Sequence, residues 1–140
     1  MRLILFILAG SLFLTACQPK AIVPAKLIGE WNPTYQIQER TTDGTWGPWT
    51  TISTFAALPS IEFTADGRFL REGKEGADCC YAGNRFTVSD NTIFFTEFKS
   101  CPQVRCANCT TWQINRLEAD TLVIEACDIG PRSKYARKKK

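Results

Sequence analysis

Three times in this chain a short run of β-forming residues stops at a tripeptide suited to chain reversal and resumes as a second such run. Ile61-Glu62-Phe63 and Arg68-Phe69-Leu70 flank Ala65-Asp66-Gly67. Arg85 to Val88 and Thr92 to Phe98 flank Ser89-Asp90-Asn91, and Trp112 to Leu117 and Thr121 to Ala126 flank Glu118-Ala119-Asp120. Asp, Asn and Gly tolerate the left-handed backbone that tight reversals need, so these segments predict hairpins. Upstream, Ile28 to Arg40 alternates, with Trp31, Tyr35 and Ile37 on one side and Glu30, Asn32, Thr34, Gln36 and Gln38 on the other. That period of two predicts a half-buried strand. Trp49 to Phe55 is β-rich and follows the turn-forming Gly47-Pro48. Amphipathic helical spacing over three turns is absent, so the chain reads as all-β, antiparallel and hairpin-connected.

Consecutive hairpins without a long crossover suit an up-and-down barrel, in which sequential strands pair and closure removes the exposed edges. About eight strands of six residues with short turns need roughly 90 residues, which Leu27 to Gly130 supplies. A barrel this small is filled by side chains or holds one small ligand. Trp46 and Trp49 bracket Gly47-Pro48 in an expected loop near the mouth, and Phe94, Phe95 and Phe98 put bulk on both faces of one strand. These aromatics either fill the core, which is the expectation, or line an apolar mouth for a lipid-like or aromatic ligand.

Seven cysteines punctuate the chain. Setting Cys17 aside leaves Cys79, Cys80, Cys101, Cys106, Cys109 and Cys127, an even number. In a small exported domain that reads as up to three disulfides, with 15 possible connectivities. Bridges from the Cys101–Cys109 loop to Cys79, Cys80 and Cys127 would staple a long connection onto the sheet. The rival is a zinc or redox-active site at Cys101, Cys106 and Cys109, since Cys106-Ala107-Asn108-Cys109 is a CxxC. The chain has no histidine, no second CxxC, and no helix to carry a thioredoxin-like motif, so structural disulfides are expected and a bound metal is not.

The N-terminus resembles the signal and lipobox of bacterial lipoproteins. Arg2 begins it, Leu3 to Leu14 is apolar, and Leu14-Thr15-Ala16-Cys17 matches the cleavage box. The apolar run is shorter than the roughly 20 residues of a membrane span. The resemblance implies removal of residues 1–16 as a signal peptide, acylation of Cys17, and a lipidated tether over 17–26. With two or three acyl chains, release from the bilayer is negligible. Gln18 after the cysteine implies the outer membrane of a Gram-negative envelope. The folded domain is expected over 27–130.

Without Arg2 the mature chain keeps 16 basic and 14 acidic residues, a balance that does not point to nucleic acid. Arg132, Lys134, Arg137, Lys138, Lys139 and Lys140 crowd the C-terminus, and residues 131–140 are expected to be a solvated basic tail.

Leu27-Ile28-Gly29-Glu30-Trp31 resembles the G-x-W opening of lipocalins and of small lipocalin-like lipoproteins. Ser60 to Phe69 and Asp120 to Ile124 resemble the later rhythm of those lipoproteins. The resemblance implies a lipocalin-like barrel in which Gly29 shapes the start of the first strand and Trp31 packs across the closed end. A late-strand arginine stacks on that tryptophan, and Arg116 is the expected partner.

Without histidine the commonest general base is missing, and no glycine-rich phosphate loop is present. Glu62, Asp66, Asp78, Glu97, Asp120 and Glu125 fall in turns or on the polar phase of strands and read as solvated surface. The expected function is therefore not catalytic and needs no cofactor. It is a membrane-anchored lipocalin-like module that touches bilayer lipid through Cys17 and binds a small hydrophobic ligand. The alternative is a disulfide-braced module with a filled barrel that binds an envelope protein or a secreted hydrolase. Nothing in the chain names a ligand-binding residue.

Overall fold

The computed structural model describes residues 23–105 and 109–139. The signal segment, the acylation site Cys17 and Cys106 lie outside the described residues. Ten strands follow in order: β1 Gly29–Arg40, β2 Trp46–Thr51, β3 Ile61–Phe63, β4 Phe69–Arg71, β5 Lys74–Glu75, β6 Arg85–Ser89, β7 Thr92–Thr96, β8 Thr111–Leu117, β9 Thr121–Ala126 and β10 Arg132–Arg137. The described residues contain no helix.

All strands belong to one antiparallel sheet in the order β5-β4-β3-β1-β10-β9-β8-β7-β6, with β2 paired to β1 beside that path. The hairpins read from the sequence are all present. At the β6–β7 reversal Asp90 and Asn91 have φ of 47° and 65°, the paired left-handed conformation of a twist-matched two-residue turn. The sheet also curls back on itself. An isolated bridge joins Arg68, just before β4, to Arg85 at the start of β6. Phe69 N donates to Asn84 O and Phe86 N to Gly67 O, both at 2.9 Å. Eight strands thus follow one another around a barrel-like ring, with β2 and β5 as short arms.

Two sequence expectations fail here. The segment from residue 131 is not a solvated tail: β10 pairs with β9 from Arg132↔Glu125 to Ala136↔Thr121 and with β1 from Gln38↔Arg132 to Trp31↔Arg137. Its alternation puts Tyr135 and Arg137 on the inner side, while Arg132 and Lys134 face out. Gly47-Pro48 does not precede a strand but lies within β2. A proline is tolerated there because β2 pairs on one side only.

β1 changes partner along its length. Residues 29–31 pair with β3 and residues 36–40 with β2. Between them the register shifts, and Tyr35 adopts φ 61°, a bulge that bends the strand around the core. Pro33, with no N–H to give, falls in the interval between the two partners.

At the base, Trp31 is fully buried and its indole Nε1 donates to Leu27 O at 2.9 Å. The guanidinium of Arg137, not that of Arg116, lies over its ring, 4.1 Å from the centroid. Arg137 also donates to the carbonyls of Ile28, Lys26 and Ala119. Arg116 points outward instead and forms a two-pronged pair with Glu118 at 2.8 and 2.9 Å. Gly29 has φ 128°, and a Cβ there would stand 2.7 Å from Arg137 Nη1. The glycine thus serves both the backbone turn into β1 and the close approach of the arginine.

Above the base the interior is packed with rings. Phe63, Phe69, Phe86, Phe95 and Trp112 form a connected set of contacts with centroids 4.8 to 5.3 Å apart, mostly edge-to-face. Ile61, Ile93, Ile114, Leu122 and Ile124 fill the spaces among them. Each such ring pair adds roughly 0.5–1.5 kcal/mol beyond area burial.

Disulfides brace the wall. Cys79 bonds Cys101, and Cys109 bonds Cys127, with Cα–Cα separations of 5.5 and 5.0 Å. Cys80 is disulfide-bonded as well. The zinc or dithiol reading of Cys101, Cys106 and Cys109 fails on these bonds, because Cys101 and Cys109 spend their sulfurs on partners elsewhere in the fold.

Phe69→Ala is expected to lower unfolding free energy by about 3–5 kcal/mol in urea melts, the cost of removing a ring that touches three others. Arg137→Ala is expected to lower the melting temperature by roughly 5–15 °C, because it strips the stack and three carbonyl partners from the base. Arg116→Ala, at a solvated pair, should shift it by less than about 3 °C.

Candidate functional site

Two places on the molecule have the composition of a binding site: the mouth of the barrel and the outer face of β2, β1, β10, β9 and β8.

The mouth is the end of the ring beside the β2–β3 loop. Leu58 and Pro59 from the β2–β3 loop, Ile61, Arg71, Tyr81 and Tyr135 surround a recess of about 290 Å³, with Trp112 at its floor. The loop is held down where Leu58 N donates to Tyr35 Oη at 3.2 Å. Asp78 organises the other rim. Its carboxylate accepts backbone N–H bonds from Cys80, Tyr81 and Ala82 and pairs with Arg71 Nη1 at 2.6 Å. Burial by itself raises the Asp78 pKa, but the Tyr81 and Cys80 amides and then Arg71 outweigh it and hold the carboxyl below its ordinary value. Burial likewise pushes the Tyr135 phenol up, so the hydroxyl stays neutral. The sequence reading of Asp78 as solvated surface misses this role, although an Asp directly before Cys79-Cys80-Tyr81 was the available signal.

The outer face carries a different chemistry. Trp46 and Trp49 sit there, on β2, and not in a loop at the mouth. Trp46 lies beneath two guanidiniums, Arg40 at 4.4 Å and Arg132 at 3.9 Å from its centroid. Lys134 Nζ stands 5.9 Å from the Trp49 ring. The register explains the assembly: Trp49 pairs with Gln38, Gln38 with Arg132, and Arg132 with Glu125, so all four project from the same side.

Beneath this layer Glu125, only 4% exposed, accepts from Arg40 Nη2 at 2.8 Å. Its reading as solvated surface therefore fails, because the long side chains of the neighbouring strands cover it. Lys134 Nζ donates to Gln36 Oε1 at 3.0 Å, and Gln38 Nε2 to Gly47 O at 2.8 Å.

Of the family-type residues, the structure brings together Gly29 and Trp31 but leaves Arg116 on this outer face. The remaining predicted aromatics divide: Phe95 is buried, whereas Phe94 and Phe98 are exposed. Sequence reasoning found no binding residue; the outer face was visible in it only as Gln36 and Gln38 on the polar phase of β1. Family models, curated proteins and solved structures yield no match to this chain.

A depressed carboxylate stabilises the fold fully above its unfolded pKa, here 3.8 for Asp78, and that contribution fades as pH falls through the lower folded value. Asp78→Asn is accordingly expected to melt at lower temperature than wild type at pH 6, with the gap narrowing between pH 4 and pH 2. Thermal melts across that range would detect it; a constant gap would show that the carboxylate charge has no part in holding the rim.

Proposed function

We propose that this chain is an envelope lipoprotein of lipocalin-like build, cleaved before Cys17, acylated there and held on the outer membrane of a Gram-negative cell. Its barrel serves as a packed scaffold that binds a partner on its exterior. The observation that carries the exterior reading is the occupied interior: Phe63, Phe69, Phe86, Phe95 and Trp112 stand where a carrier would keep its ligand. The lipocalin-like part is supported by the Gly29-x-Trp31 opening together with a stacking arginine on the last strand. The role is binding and not catalysis, in keeping with a chain that has no histidine.

Anchoring favours this geometry. Leu27 and Trp31 mark the base, so a chain held at Cys17 turns its base toward the bilayer. The residues between Cys17 and Val23 reach about 20 Å when extended.

A second reading rests on the mouth recess. Tyr81, Trp112 and Tyr135 beside the Arg71–Asp78 pair would accept one small aromatic or hydrophobic molecule with a polar end.

Mass spectrometry of protein purified without reductant from its own envelope separates the two. The expected result is loss of residues 1–16, acyl mass on Cys17 and no co-purifying small molecule. A bound small molecule that is lost in Tyr135→Ala would favour the mouth, and an unacylated Cys17 would overturn the anchored reading.

A further inference from the structure

We infer that the trough on the outer face, between Trp49 of β2 and Arg116 of β8, binds an anionic saccharide. The inference rests on the exterior-binding reading and gives it a ligand class.

The trough encloses about 220 Å³, and its walls include Gln38, Trp49, Asn115, Arg116, Arg132 and Lys134. Its charge is unbalanced. Arg40 pairs with Glu125 and Arg116 with Glu118. Among the described residues, Arg132 and Lys134 have no carboxylate within ion-pair distance. Arg132 Nε is in addition buried without a hydrogen-bond partner, which is unusual for a guanidinium N–H. Two positive charges without carboxylate partners at one place call for a carboxylate, sulfate or phosphate.

Charge alone would fit an acidic peptide equally well. The remaining walls favour a sugar. Trp49 is 40% exposed and lies at the trough as a flat indole against which the C–H face of a pyranose can stack. Gln38 and Asn115 each donate one side-chain N–H, to the carbonyls of Gly47 and Gln113. Their side-chain carbonyl oxygens remain as acceptors, and acceptors need donors such as ring hydroxyls. An acidic side chain has no such donors. An extended peptide would also seek an open strand edge, and since β1, β10, β9 and β8 are each paired on both sides, β2 alone offers one here.

The trough is preorganised because β8, β9 and β10 under it pack on the filled interior. Tyr135 and Ile124 face inward from the same strands that present Lys134 and Glu125 outward. A shallow site of this kind binds weakly per contact and gains from repetition along a polymer.

The test is isothermal titration of the mature acylated protein in detergent micelles, at about 150 mM salt so that non-specific charge attraction is screened. Three probes are compared: trigalacturonate, neutral galactotriose and hexaglutamate. Trigalacturonate is expected to bind at least tenfold more tightly than either of the others. Trp49→Ala should weaken it about five- to tenfold, the size of one lost stacking contact. Arg132→Gln and Lys134→Gln should each weaken it as well, and Phe94→Ser, on an exposed position of β7, should leave it unchanged. Near-UV circular dichroism checks that each variant keeps the packed core.

Hexaglutamate binding as tightly as the uronate, and lost in Arg132→Gln, would overturn the saccharide and leave the exterior reading standing. Uronate binding indifferent to Trp49→Ala, or absent up to about 10 mM, would also overturn it. Failure of the exterior reading has a separate signature, a ligand displaced by substitution of Tyr135 at the mouth.

Discussion

Everything in this fold depends on how the last strand is held against the first. β10 supplies hydrogen-bonding partners to both β1 and β9, so without it the ring would open between them. The contact that fixes its end is Arg137 over Trp31. A guanidinium on an indole inside a partly desolvated base is worth more than the same pair in water, since little solvent competes for the ring face. The same arginine satisfies two backbone carbonyls of the turn into β1, Lys26 and Ile28, and that of Ala119 in the β8–β9 reversal. Those carbonyls have no strand partner, so the side chain completes the hydrogen bonding that the sheet cannot supply there. Gly29 makes room for it. One cation thereby closes the ring, caps the base and sets the register of β1 and β10 together.

The filled interior follows from size. A barrel of eight short strands has little room, and five aromatic rings from β3, β4, β6, β7 and β8 use it. Because the rings meet mostly edge-on, removal of one leaves gaps that the others cannot close by sliding. The consequence is rigidity, reinforced by the Cys79–Cys101 and Cys109–Cys127 bonds along the wall. Rigidity of the core passes to the outside, since each strand carries inward and outward side chains in alternation.

The hairpins were legible because their signal is local. Asp90-Asn91 and Asp66-Gly67 mark reversals by backbone preference alone, and the alternating runs beside them carry their burial on their face. The C-terminal strand was not. In Arg132-Ser133-Lys134-Tyr135-Ala136-Arg137 a basic residue occupies nearly every other place, which reads as solvated chain. What makes it a strand lies far away in sequence: Trp46 and Trp49 to receive the outward cations, and Trp31 to receive Arg137. The same distance hid the arginine partner of Trp31. Arg116 and Arg137 both come from late strands, and only the bulge between Ile114 and Arg116 turns the former outward to Glu118. Glu125 reads as a surface carboxylate for a related reason. Its burial comes from Arg40, a residue 85 positions away.

The tryptophans of β2 carry this argument to function. In a sequence they are bulk, and bulk belongs to a core unless something holds it outside. Here Arg40 and Arg132 hold Trp46 and Lys134 stands beside Trp49, so the cations replace the apolar neighbours that a core would have supplied. That arrangement stabilises an aromatic surface without burying it, and it gathers more positive charge than Glu125 and Glu118 can neutralise. A face stabilised only by packing would be complete by itself. This one retains a half-exposed indole and an arginine and a lysine without carboxylate partners, which are the features that a ligand from outside would complete.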